Sequence, residues 1–175
     1  MSLLGKKLDN WDGKSTDDLR HIYASIESAH FDSAKRQNPS LIDALMRHFP
    51  QHPIAVTWLV KHAVENDYSL SLLHNEKLLE HLLENPTWQS MLHILQISEH
   101  LTISKSLTTA LYAKLRHNLS HDNKFIRAWS YHALAVLTKQ YSEFKQEVNE
   151  LLRMALTDEA PSLKARIRGI LKNTK

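Results

Sequence analysis

Leu115-Arg116-His117-Asn118-Leu119-Ser120 and, one residue on, Asp122-Asn123-Lys124-Phe125-Ile126-Arg127-Ala128 form the stretch that decides the fold. The first block closes a helix whose leucines stand at 107, 111 and 115. The second opens another, with Phe125, Ile126, Trp129, Ala133, Leu134 and Leu137 at helical spacing. The pattern returns 37 residues later, with Leu115 on Leu152, Asp122 on Glu159, Ile126 on Leu163, Arg127 on Lys164, Ala128 on Ala165 and Leu134 on Leu171. The same displacement carries Leu78, Leu82 and Asn85 onto Leu115, Leu119 and Asp122. A displacement of 33 carries Leu45, Phe49, Pro53 and Leu59 onto Leu78, Leu82, Pro86 and Leu92. A period of this size predicts stacked helical hairpins, each too small to bury its own apolar face.

Outward from this stretch the helix signals repeat. Ser15-Thr16-Asp17-Asp18 caps a segment with Leu19, Ile22, Tyr23 and Ile26. Asn38-Pro39, Pro53, Asn85-Pro86 and Pro161 each open a further segment, since proline is tolerated in a first helical turn. Asn75, Ser104 and Ser142 are expected caps. No segment alternates with period two long enough to predict a strand. The expectation is an all-α chain of one domain, 1–175. It has an extended N-terminal segment over 1–14, an extra N-terminal helix, and hairpins at about 38–66, 75–100, 104–140 and 142–173.

Composition narrows the function classes. The 175 residues are 42% hydrophobic and 23% charged, with no cysteine. Disulfides, thiolate metal sites and a cysteine nucleophile are therefore excluded. The three glycines, Gly5, Gly13 and Gly169, are isolated, so no phosphate-cradling loop is present. The N-terminus offers only Leu3-Leu4 as an apolar stretch, so no secretory signal is expected and the cytoplasm is the expected address. The net charge is +3, and five basic residues without an acid fall in Pro161–Lys175. A basic helix end suits both an anionic partner and the negative end of the helix dipole.

The segment Asp122-Asn123-Lys124-Phe125-Ile126-Arg127-Ala128 with Ala133-Leu134 resembles the second helix of a HEAT-like repeat. Asp158-Glu159, Leu163-Lys164-Ala165 and Ile170-Leu171 resemble it again. The earlier hairpins keep only the apolar skeleton. The resemblance spans roughly residues 38–173. It implies a right-handed α-α superhelix of about four stacked hairpins, with second helices lining a concave face. It implies no single function. In such repeats the basic residue at the place of Arg127 often pairs with a turn acid, here Asp158 or Asp122.

Chemistry-bearing constellations are sparse. His48 and His52 are bracketed by Pro50 and Pro53, which takes them off a shared helix face. His117, His121 and Asp122 have ligand chemistry but sit at a helix end and lack a His-Glu-x-x-His pattern. No metal site, cofactor or catalytic residue is assigned. Trp58, Trp88 and Trp129 lie on successive second helices in apolar register. They read as core residues, with a ligand platform as the alternative. The strongest constellation is polar: Thr57, Lys61 and Glu65, then Gln89, His93 and Gln96, then Lys124, Arg127 and Tyr131, then Lys164 and Arg168. Stacked hairpins would line these into a ridge. Lys61, His93, Arg127, Tyr131, Lys164 and Arg168 are the candidate binding residues. The function expected is a non-enzymatic module that binds a protein or peptide, without membrane attachment. The alternative is a nucleic-acid-binding protein akin to the HEAT-like alkylpurine DNA glycosylases, whose acid has no counterpart here.

Overall fold

A computed structural model of the chain describes residues 2–30 and 40–173. They form ten α-helices packed on one another, with no strand among the described residues. None of these helices is long and apolar enough to cross a membrane. The contacts divide the chain into two compact units, Met1–Asn75 and Glu76–Lys175.

In the first unit, α1 (Leu3–Asp9) corrects the expectation of an extended N-terminal segment. The Ser2 hydroxyl accepts the Gly5 amide at 3.0 Å, and Leu4 and Leu8 are buried. Two apolar residues four apart are enough once a cap and a neighbouring helix are supplied. Asp12 and Gly13 turn the chain into α2 (Thr16–His30). The Asp12 carboxylate accepts the Ser15 and Lys14 amides, which hold its pKa below the usual range, and Gly13 takes φ +79°. Ser15 caps α2 by accepting the Asp18 amide, as expected. The Asn38-Pro39 start lies outside the described residues. α3 (Ser40–Met46) and α4 (Pro53–Glu65) follow, with Pro53 in the first turn of α4 as its sequence predicts. α4 is the buried helix of this unit, with Val56, Leu59, Val60, Ala63 and Val64 enclosed against α2 and α3.

α5 (Leu72–Leu83) begins three residues before the expected cap. Ser71, not Asn75, accepts the amide of His74 at 3.2 Å, and Asn75 is buried inside the helix.

The second unit is built around α8 (Lys124–Gln140), capped by the Asn123 side chain. α8 packs against α6 (Trp88–Gln96), α7 (Thr108–Asn118), α9 (Lys145–Asp158) and α10 (Pro161–Asn173). Ile126, Leu134 and Leu137 are fully enclosed, and Ala133 and Ala135 keep the neighbouring helices close. The void among Leu79, Leu95, Leu111, Leu115 and Val136 is only ≈10 Å³, so the interior is closed. At the far end of α8, the Gln140 amide clamps a loop, accepting from Ile103 N–H and donating to the Leu101 carbonyl. The Tyr141 hydroxyl donates to the Ile103 carbonyl at 2.6 Å.

Candidate functional site

The second unit carries a trough made of two adjoining hollows that share Trp129 and Arg166. The larger, ≈330 Å³, lies by the N-terminal half of α8 and the first turn of α10. Lys124, Phe125 and Ala128 line it with Gln96, Ser162 and Leu163. The smaller, ≈230 Å³, follows α8 onward through His132, Ala135, Val136 and Lys139, facing Glu99, Gly169 and Ile170. On α8 these residues recur every three or four positions, the spacing of one helix face. Phe125 is 55% exposed.

Trp129 and Arg166 form the partition. The Arg166 guanidinium lies 3.8 Å from the Trp129 ring centroid, a cation–π contact. Its Nη1 is enclosed and has no hydrogen-bond partner, and partial burial lowers its pKa. Beside it, Glu99 lies 3.5 Å from His132 Nε2 and 3.6 Å from Lys139 Nζ. The two hollows therefore differ electrically. The smaller holds an acid among its cations, whereas the larger has Lys124 and Arg166 and no acid.

Burial holds the His132 pKa below 6.5, and Arg166 and Lys139 add to that against the opposing pull of Glu99. Burial lowers His62 and His81 as well. A histidine depressed in the folded state is protonated more readily when unfolded. Its contribution to stability is therefore present above pH 6.5 and lost as the pH falls below it. The melting temperature is expected to fall between pH 7.5 and pH 5, and His132→Gln to flatten the profile. A melting temperature that rises on acidification would contradict this.

The six sequence-derived candidates do not gather in the trough. Lys61 belongs to the first unit and pairs with Glu65 at 2.7 Å. His93 is half-buried on α6 and is not among the trough-lining residues. Arg127 pairs with a turn acid, as the resemblance leads one to expect, but with Glu159 rather than the carboxylate of Asp158 or Asp122. Its Nε lies 3.1 Å from Glu159 Oε1, and its Nη1 donates to the carbonyls of His121 and Asp122. Tyr131 is buried, 6% exposed, not an open ligand contact. Burial first, and the neighbouring Glu159 carboxylate second, push its phenol up to about 12. Lys164 donates to the Thr157 carbonyl, and Arg168 is exposed. At about 100° per residue, Lys164 and Arg168 stand nearly opposite Arg166 on α10.

The tryptophans also differ from the core reading. Trp88 is 48% exposed. Trp58 is half-buried and stacks on His62 at 5.0 Å, and Trp129 is half-buried at the trough. The residues that sequence reasoning missed are Arg166, His132, Lys139 and Glu99. The available signal was the offset of 37 that places Trp129 on Arg166.

Two other constellations resolve as structural. Ser71, His74 and Asp43 come together in the first unit. His74 Nδ1 accepts the Ser71 amide at 3.3 Å, which leaves the proton on Nε2, 2.7 Å from Asp43. No basic nitrogen is left for the Ser71 hydroxyl, which caps α5. His121 Nδ1 accepts the Asn123 amide at 2.9 Å, and no group of three or more potential metal ligands gathers among the described residues. Comparison of the chain with protein-family models, with curated proteins and with solved structures gave no match.

Proposed function

We propose that the chain is a non-enzymatic binding module of HEAT-like hairpins, whose trough along α8 takes an extended acidic peptide. Placement of α8 between α6 and α10, each the second helix of a hairpin, supports the solenoid reading. The observation that carries the function is the Trp129–Arg166 partition, flanked by hollows that join apolar surface to cations. Lys124, Lys139 and Arg166 are few beside the run of phosphate contacts on which nucleic-acid affinity depends.

The test is calorimetry with an array of capped octapeptides built from Ser, Gln, Glu, Leu and Phe, set against oligodeoxythymidylate. Peptides combining Glu with Leu or Phe are expected to bind. Gly169→Leu is expected to weaken them at least ~tenfold. A Cβ on Gly169 meets nothing within 4 Å, so the leucine enters the trough and not the core. Steeply salt-dependent binding of the oligonucleotide, with no peptide bound, would replace this reading by the nucleic-acid one.

A further inference from the structure

Resting on the peptide reading, we infer that the hollow bounded by Lys124, Ser162 and Arg166 is a carboxylate seat. Its occupant is the side chain of an Asp or Glu within the bound segment.

Three observations converge on it. Arg166 makes no hydrogen bond or ion pair among the described residues, and its enclosed Nη1 is unpartnered. A guanidinium with no acceptor on any of its nitrogens can take an incoming carboxylate on the edge that lines the hollow. Lys124 stands over the Phe125 ring at 5.4 Å and likewise has no ion pair among the described residues. The hollow contains no acid, whereas the neighbouring one already holds Glu99 between His132 and Lys139. Apart from the Arg166 that both share, the lysine of the smaller hollow is matched by Glu99, whereas Lys124 in the larger is matched by no acid. Ser162, in the first turn of α10, lines the larger hollow as well, and that turn carries no acidic residue.

The smaller hollow, with Val136, Gly169 and Ile170, supplies apolar surface on the other side of the partition. A segment lying along α8 would therefore place an acidic side chain in one hollow and an apolar one in the other. The hollows adjoin along the helix, so the chain passes through, and a side chain supplies the carboxylate where a chain terminus would not.

The experiment compares the tightest Glu-containing capped octapeptide of the array with its Glu→Gln counterpart, on the wild type and on three variants. Arg166→Met is expected to weaken the Glu peptide at least ~tenfold and leave the Gln peptide within about twofold, the loss of a charge-assisted contact. Arg166→Lys should recover part of the loss, since it restores charge without the planar fork. Arg168→Met, exposed and nearly opposite Arg166 on α10, should change neither peptide by more than about twofold. Thermal melts of each variant check that folding is kept.

Equal binding of Glu and Gln peptides, both lost in Gly169→Leu, would overturn the seat and leave peptide binding standing. Loss of both peptides alike in a folded Arg166→Met protein would also overturn it. Binding to no peptide in the array would overturn the peptide reading and the seat with it.

Discussion

Leu134→Ala is expected to lower the free energy of unfolding by ~4 kcal/mol, in the upper part of the ~2–5 kcal/mol range for such truncations. Leu134 is 0% exposed and sits mid-way along the helix that packs against α6, α7, α9 and α10. Neighbours held by several helices cannot all move inward, so the space left by the leucine stays open. The closed interior nearby leaves little slack to redistribute. Leu134→Met, which keeps the volume, should cost less than ~1.5 kcal/mol. Urea unfolding followed by circular dichroism measures both, and an alanine cost under ~1 kcal/mol would remove α8 from the centre of the unit.

The second large effect belongs to Arg127. Arg127→Met is expected to cost ~2–3 kcal/mol, discounted from a fully buried pair because the two side chains keep 21% and 11% exposure. The cost arises because Glu159 would be left beside the buried Tyr131 without its cation. The same arginine also ties down the His121 and Asp122 carbonyls, so the turn before α8 loosens with the turn before α10. Adding Glu159→Leu should restore more than half of the loss, since an apolar pair escapes the desolvation penalty. A single-variant cost within ~0.5 kcal/mol, or a double variant worse than the single, would show that the pair does not join the two turns.

Most of the fold was legible because proline, caps and apolar spacing act locally. Ser15 and Pro53 open their helices as the sequence predicts, whereas Ser104 makes no cap bond and α9 begins three residues after Ser142. Asn75 misled because Ser71, four residues earlier, offered another side-chain oxygen able to accept a helix-start amide. α1 was missed because its stability comes from burial of Leu4 and Leu8, which periodicity in so short a segment does not reveal.

The site was less legible. The 37-residue offset placed Arg127 beside Lys164 in register, but register does not say which way a side chain points. Arg127 turns to Glu159 and Lys164 to the Thr157 carbonyl, so both serve turns. The trough lies roughly 130° further round α8, where Trp129 reads from the sequence as core. Trp129 sits in an apolar register yet is half-buried under Arg166, and only the tertiary placement of α10 makes that contact.

That placement has a kinetic consequence. α10 packs mainly on α8 and α9; α9 is tied to α7 by the Arg116–Glu147 pair, and the turn just before it by the Tyr112–Phe144 ring stack at 4.8 Å. The Arg166 wall therefore depends on one pair of helices, whose amides are expected to exchange with solvent ahead of those of α8. A ligand that grips α8 and α10 together is expected to slow that exchange, so protection of the α9–α10 amides reads occupancy of the trough.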